Sequence, residues 1–322
     1  MKRAGILASM AVGCALAQQP HVQNARMETR AVTGGLEATV RTIVNVQSTP
    51  AWVGYAVPII RGDRQMCCWN NNERGCFLEP RGSDRTAVVS NNQTVKLEGP
   101  TQLVVLYRVE NRQIGKVRSF SPDCELDAGG LPFIWLTGVN AGESVKALEG
   151  IAKDTAGAAR EQVRRADAAV SAIALHDDAA ADQALEELLA ASQPEQVRQK
   201  AIFGLAQRNN TQALNLLVAV AHSDKSPHVR GQALFWLAQR AGQKVAEAAI
   251  NDAIANDPES EVKKKAVFAL TQMPAGEGVP LLIQVARTNR NPEVRKQAMF
   301  WLGQSKDERA LAFIEEVLTS KK

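Results

Sequence analysis

The residues with the most chemistry to offer in this 322-residue chain are five cysteines and four histidines, and their spacing narrows what that chemistry is. Setting aside Cys14, the remaining Cys67, Cys68, Cys76 and Cys124 are an even set, which in an oxidising compartment means two disulfides. Neighbouring cysteines seldom bridge each other because the geometry is strained, so Cys67 and Cys68 are expected to take Cys76 and Cys124, in either order. Zinc is the alternative, but the spacing holds no paired C-x-x-C and no histidine lies close. A thioredoxin-like redox role lacks its C-x-x-C. His176 and His222 fall at expected helix ends before acids, where the helix dipole favours a cation. His21 lies in a polar N-terminal stretch and His228 at a helix start. His176-Asp177-Asp178 offers only an incomplete metal shell. No phosphate-binding loop, dinucleotide fingerprint, nucleophile elbow or H-E-x-x-H is present. The expectation is therefore a protein with no catalytic residues, metal or cofactor, and not an enzyme.

The elements that position everything else recur. Val197, Val229, Val262 and Val294 are separated by 32, 33 and 32 residues, and Phe203, Phe235, Phe268 and Phe300 keep the same intervals. A period of this size means one supersecondary unit stacked on its neighbours. Each copy opens near a proline or an acid, both suited to a helix start. At about 100° per residue the Val, the Ala four later (Ala201, Ala233, Ala266, Ala298) and the Leu eight later (Leu205, Leu237, Leu270, Leu302) share an arc of about 80° and form the core ridge. A second amphipathic helix is expected at 212–221, 245–255, 279–287 and 309–319. Neither helix of a pair buries its stripe alone, so the pairs must stack. Arg198, Arg230, Lys263 and Arg295 follow each Val and are expected to pair with acids of adjoining units.

The Phe six residues after each Val stands, at about 240°, between Gln207, Gln239, Gln272 and Gln304 and the mostly polar Gln199, Gly231, Lys264 and Lys296. Two readings are open: the rings pack against the next repeat, or with the amides they form a binding stripe for a protein partner. Trp236 and Trp301, at about 340°, fall towards the core ridge and read as packing.

This pattern resembles the HEAT-like repeat of the short, phycobilin-lyase type, in which V-R, an A four residues on and an L-G pair mark the first helix. Val294, Arg295, Ala298, Leu302 and Gly303 match it position by position. The resemblance covers residues 141–322, with a degenerate first copy at Val163-Arg164, and implies an armadillo-like helical solenoid of about five helix pairs. Lyases of that family hold bilins in the cytosol, whereas this chain opens differently. Residues 1–17 have a basic start, an apolar middle and a final A-L-A, the pattern of a secretory leader. Ala11-Val12-Gly13-Cys14 also resembles a lipobox, so lipidation of Cys14 is the rival to cleavage after Ala17.

Between leader and repeats, residues 18–35 read as a flexible entry and 36–140 as a β-rich domain stapled by disulfides. Strands are expected at 36–46, at 51–60 with Pro58 at an edge or end, at 86–89 and 94–97, and as a hairpin from 101–109 and 114–120. Residues 61–82 read as loop, 132–139 as a last strand or buried connector, and Ser144 as the cap of the first solenoid helix. The order Y-A-V-P, C-C-W, L-Y-R-V, D-C-E-L-D and W-L-T-G-V before the repeats is similar to that of exported bacterial HEAT-repeat proteins. The fold class is thus α+β multi-domain, a β-rich unit followed by an all-α solenoid. The formal charge of +4 falls by two once Lys2 and Arg3 are set aside, and its mixed distribution excludes a nucleic-acid partner. No segment is long enough to span a membrane. The function expected is an exported scaffold, periplasmic or secreted, binding a protein partner through its solenoid. A small-molecule or metal-linked role of the β-rich domain is the alternative.

Overall fold

A computed structural model describes residues 19–62, 66–70, 73–74, 76–80, 99–155, 159–239, 244–274 and 276–320. The leader at 1–17 with Cys14, the strands expected at 86–89 and 94–97, and most of the loop beyond residue 80 lie outside these residues. The N-terminal half contributes β1 (Val22–Gln23), β2 (Arg26–Ala31), α1 (Leu36–Val46), β3 (Ala51–Pro58), β4 (Trp69–Asn70), β5 (Glu73–Arg74), β6 (Cys76–Phe77), β7 (Gln102–Glu110), β8 (Gln113–Phe120), β9 (Leu126–Asp127) and β10 (Pro132–Thr137). The main sheet has the order β2-β10-β3-β7-β8. β10 is parallel to both β2 and β3, and β7 is antiparallel to β3 and β8. The β7–β8 turn is Asn111-Arg112, with φ of 52° and 59°, the left-handed pair that a type I′ hairpin turn uses.

Both faces of this sheet are covered. Val53, Tyr55, Val57, Val105, Tyr107 and Ile134 face the helices, while Trp52, Val104, Leu106, Phe133 and Trp135 alternate onto a second core with Leu126 and the cysteines. Gly54 fits between them because an added Cβ would lie 2.5 Å from Leu106 Cδ2 and 3.2 Å from the Trp135 ring. Cys67 bridges Cys124 and Cys68 bridges Cys76, with Cα separations of 5.4 and 5.0 Å. They hold the short strands β6 and β9 against the sheet, where Cys76 and Cys124 are buried.

Several expectations are corrected. The segment Leu36–Val46 is a helix, not a strand: Leu36, Val40 and Ile43 are its buried residues, a helical spacing that its β-branched composition masks. The supposed flexible entry holds β1 and β2, and β2 pairs along β10 from Arg26 to Ala31. Part of the loop at 61–82 forms β4, β5 and β6. Ser144 does not cap its helix, since Asn140 Oδ1 accepts from the Glu143 N–H at 3.2 Å.

The C-terminal half consists of α2 (Ala141–Lys153) and the pairs α3 (Arg160–Leu175) with α4 (Ala179–Leu188), α5 (Glu195–Gln207) with α6 (Thr211–Ser223), α7 (Pro227–Ala238) with α8 (Lys244–Asn256), α9 (Ser260–Leu270) with α10 (Gly278–Thr288), and α11 (Pro292–Gln304) with α12 (Glu308–Thr319). The repeated Val, Ala and Leu are all buried and belong to the core that also receives α1 and one sheet face, so the β unit and the solenoid share one interior. Among the described residues no helix is long and apolar enough to cross a membrane.

Candidate functional site

Helices α5, α7, α9 and α11 pack side by side as the first helices of successive units, and each turns its Phe away from the buried ridge. Phe203, Phe235 and Phe268 are half-buried and Phe300 is 54% exposed. Their rings join into one path through the tryptophans. Phe203 meets Trp236 edge-on at 5.3 Å, Trp236 meets Phe235 at 5.2 Å, and Phe235 stacks on Phe268 at 6.1 Å. Phe268 then meets Trp301 at 5.0 Å and Trp301 meets Phe300 at 4.9 Å. These spacings and tilts are those aromatic quadrupoles prefer. Each Phe is a packing ring and a surface ring at once. Trp236 and Trp301, expected towards the core, are half-buried members of the ladder; the periodicity could not show that the indole bridges two units.

Amides run beside the rings. Gln239 and Gln304 are exposed, Gln207 and Gln272 half-buried, and Gln239 Nε2 donates to Gln272 Oε1 at 3.4 Å. A cleft of about 600 Å³ opens beside the ladder, with Phe268, Trp301, Gln272 and Gln304 in its wall. Lys200 reaches over the Phe203 ring at 5.6 Å, within cation–π range.

The basic residue after each Val is structural. Arg198 and Arg230 make paired hydrogen bonds to Asp224 and Asp257, between 2.8 and 3.0 Å, with all four side chains nearly buried. Lys263 and Arg295 depart from the expected acid pairing: Lys263 donates to the Ala255 carbonyl and Arg295 to those of Asn289 and Arg290. What the four share is a backbone carbonyl shortly before their own helix, in the turn or, for Lys263, in the last turn of α8, since Arg198 also donates to Gln193 O and Arg230 to Asp224 O.

A buried constellation escaped the sequence. Tyr55 Oη lies 2.7 Å from Tyr107 Oη and 2.8 Å from Ser144 Oγ, and Ser144 Oγ lies 2.8 Å from His176 Nε2. His176 Nδ1 is 2.8 Å from the Ala172 carbonyl, which only accepts, so Nδ1 carries the proton and the Ser144 hydroxyl donates to Nε2. This Ser–His pair is fully buried, as are both tyrosines, and it joins sheet to solenoid. Burial pushes the His176 imidazole down to about 4, with the Arg208 charge acting the same way against the Ala172 bond and Asp178. The helix-end cation expected from sequence is therefore a neutral ring. Above pH ~6.5, the unfolded value, its contribution is complete. As pH falls towards 4 only the unfolded chain takes the proton, so stability should drop by about 1.4 kcal/mol per pH unit, about 3 kcal/mol in all. Urea unfolding of wild type and His176→Asn from pH 7 to 4 checks this, since carboxylate effects are common to both. Parallel curves would refute it.

The other histidines are dispersed. His21 Nδ1 lies 2.7 Å from Glu125, His228 Nδ1 lies 3.1 Å from Lys265 Nζ, and exposed His222 stands 4.0 Å from Asp252. Cys67, Asp123 and Cys124 cluster closely enough for a metal, but both sulfurs are engaged in the disulfide.

Stacked helix pairs with a surface ladder at fixed period, joined to a disulfide-stapled α+β unit, define an α-solenoid protein. Residues 182–251 and 248–322 match the family model of HEAT repeats, and this half of the chain is a HEAT-like repeat array. No curated protein matches the sequence. Similar solved structures include human deoxyhypusine hydroxylase in complex with glycerol, at 18% identity and TM-score 0.35 over 55% of this chain and 67% of that one. The complex of CpcE and CpcF of phycocyanin lyase from Nostoc sp. PCC7120 matches at 18% identity and TM-score 0.36, over 50% of this chain and 98% of that one. The Mot1 N-terminal domain in complex with TBP matches at 15% identity and TM-score 0.31, over 51% of this chain and 23% of that one.

Proposed function

We propose that this protein is an exported scaffold, periplasmic or secreted, that grips a protein partner along the aromatic ladder and works by contact, not by bond making. The observation that carries the reading is the unbroken ring path from Phe203 to Phe300 with amides at every unit. Half-exposed aromatics are the residues that dominate interface energetics, and glutamines beside them supply donors and acceptors. The two disulfides support an oxidising destination.

The test uses affinity capture from envelope extract with two variants. Phe300→Gln with Gln239→Ala and Gln304→Ala alters only exposed side chains, so folding should be retained. Phe203→Gln, Phe235→Gln, Phe268→Gln and Phe300→Gln together remove the Phe rings of the ladder. A specific partner should be held by wild type, about tenfold or more weaker on the surface triple variant, equivalent to about 1.4 kcal/mol or more. It should be lost on the quadruple variant. A partner retained at full strength by the triple variant, with unchanged melting, would overturn the ladder as the contact surface.

A further inference from the structure

A second concavity lies away from the ladder, where α1, the β7–β8 turn, α2 and α3 meet, and encloses about 770 Å³. Its apolar wall is Val40, Val44, Ile114, Ala147 and Ile151. Val40 is buried and the other four are half-buried against the common core. Most of its charges cancel. Glu37 pairs with Arg41 along α1, Glu149 with Lys153 at 2.5 Å, and Asp154 with Arg165 at 2.6 Å. Arg165 Nη1 also donates to the Ile114 carbonyl at 2.7 Å, which ties α3 to the hairpin and fixes the shape of the cleft.

Two lining cations are left over. Arg112 and Lys146 are exposed and have no acidic partner among the described residues. Arg112 is held in place by its backbone, with φ of 59° and an N–H bond to the Gln47 carbonyl at 3.0 Å. A preformed apolar cleft at a junction between structural units, of a size within roughly 300–1,000 Å³ and with a few charges at its mouth, is what a small ligand requires.

We infer that this cleft binds a free, single-chain amphipathic anion, a long-chain carboxylate whose tail covers the Val44–Ile114–Ala147–Ile151 wall and whose head meets Arg112 and Lys146. The apolar wall gains by leaving water. The net positive charge of the lining selects the sign of the head group. A neutral amphiphile leaves both cations unused, and a cationic one is repelled. This site shares no residue with the ladder, so the two readings stand or fall separately.

The probe is dodecanoate, titrated into the full chain by calorimetry below its micellar concentration. Dodecanol, dodecylammonium and phosphatidylglycerol vesicles are the comparison arms. A single saturable site for dodecanoate is expected, about tenfold weaker in the Arg112→Glu/Lys146→Glu double variant and about tenfold weaker for dodecanol. Dodecylammonium should not bind, and Ala147→Trp, which fills the cleft, should abolish binding. Both charge reversals are at exposed positions, so they decide the matter even if the tryptophan variant does not fold. Absence of saturable binding, equal affinity for dodecanol or dodecylammonium, indifference to the charge reversals, or binding to vesicles alone would each overturn the assignment.

Discussion

Arg208→Met is expected to cost about 3–5 kcal/mol of unfolding free energy, because it leaves the buried Asp182 carboxylate without its cation, held only by the Asn210 amide at 3.1 and 3.2 Å. Arg208 Nε and Nη2 bond Asp182 at 2.5 and 2.9 Å, and the two side chains are 5% and 10% exposed. The same guanidinium donates to the carbonyls of Ala174, His176 and Asp178 at 3.2, 2.8 and 3.3 Å, closing the turn between α3 and α4. Methionine fills much of the volume but satisfies none of these acceptors. Arg208→Met/Asp182→Leu should recover much of the loss, since an apolar pair of similar size removes the stranded charge. Urea unfolding of wild type, both single variants and the double variant gives the coupling energy. A single-variant cost below about 1 kcal/mol, the value of an exposed ion pair, would show that the site is wetter than its geometry indicates.

Removing the Cys67–Cys124 bridge as Cys67→Ala/Cys124→Ala is expected to destabilise the chain by about 4 kcal/mol, and removing Cys68–Cys76 by about 2.5 kcal/mol. The difference follows from loop length: the first bridge spans 57 residues and the second 8, so the first denies the unfolded chain more conformations. Both join the layer that covers Trp52, Phe133 and Trp135, so the sheet face should open before the solenoid does. Denaturant midpoints of the two double variants, with disulfide content read by non-reducing peptide mapping, check order and size. Equal losses, or a larger loss for the short loop, would mean that native-state contacts at the bridges outweigh the chain entropy.

The repeat period, the helix pairs and the Val–Ala–Leu ridge were legible in the sequence because each unit sees nearly the same surroundings. Local periodicity and tertiary burial then agree, and Val294, Ala298 and Leu302 point inward as their spacing requires. The hairpin turn was legible for the same reason, its constraint being local. Within the N-terminal half the strands β3, β7, β8 and β10 were legible too, but α1 and β2 were not. α1 carries β-branched residues that a strand also favours, and only the helical spacing of Leu36, Val40 and Ile43 against the core decides between the two. β2 is exposed along its whole length, so its place beside β10 rests on backbone bonds that leave no hydrophobic pattern in R-M-E-T-R-A. The ring path through Trp236 and Trp301, the choice between two disulfide pairings, and the Arg208–Asp182 and Ser144–His176 contacts were likewise decided by tertiary structure. Apart from the Cys68–Cys76 bridge, which spans 8 residues, each joins residues 26 to 57 positions apart, or neighbouring units, where no short-range rule operates. The sequence by itself determined a stack of helix pairs with a Phe in each of the last four. Only the folded chain decided that those rings touch one another while still facing outward, because that depends on how far each helix turns relative to the next.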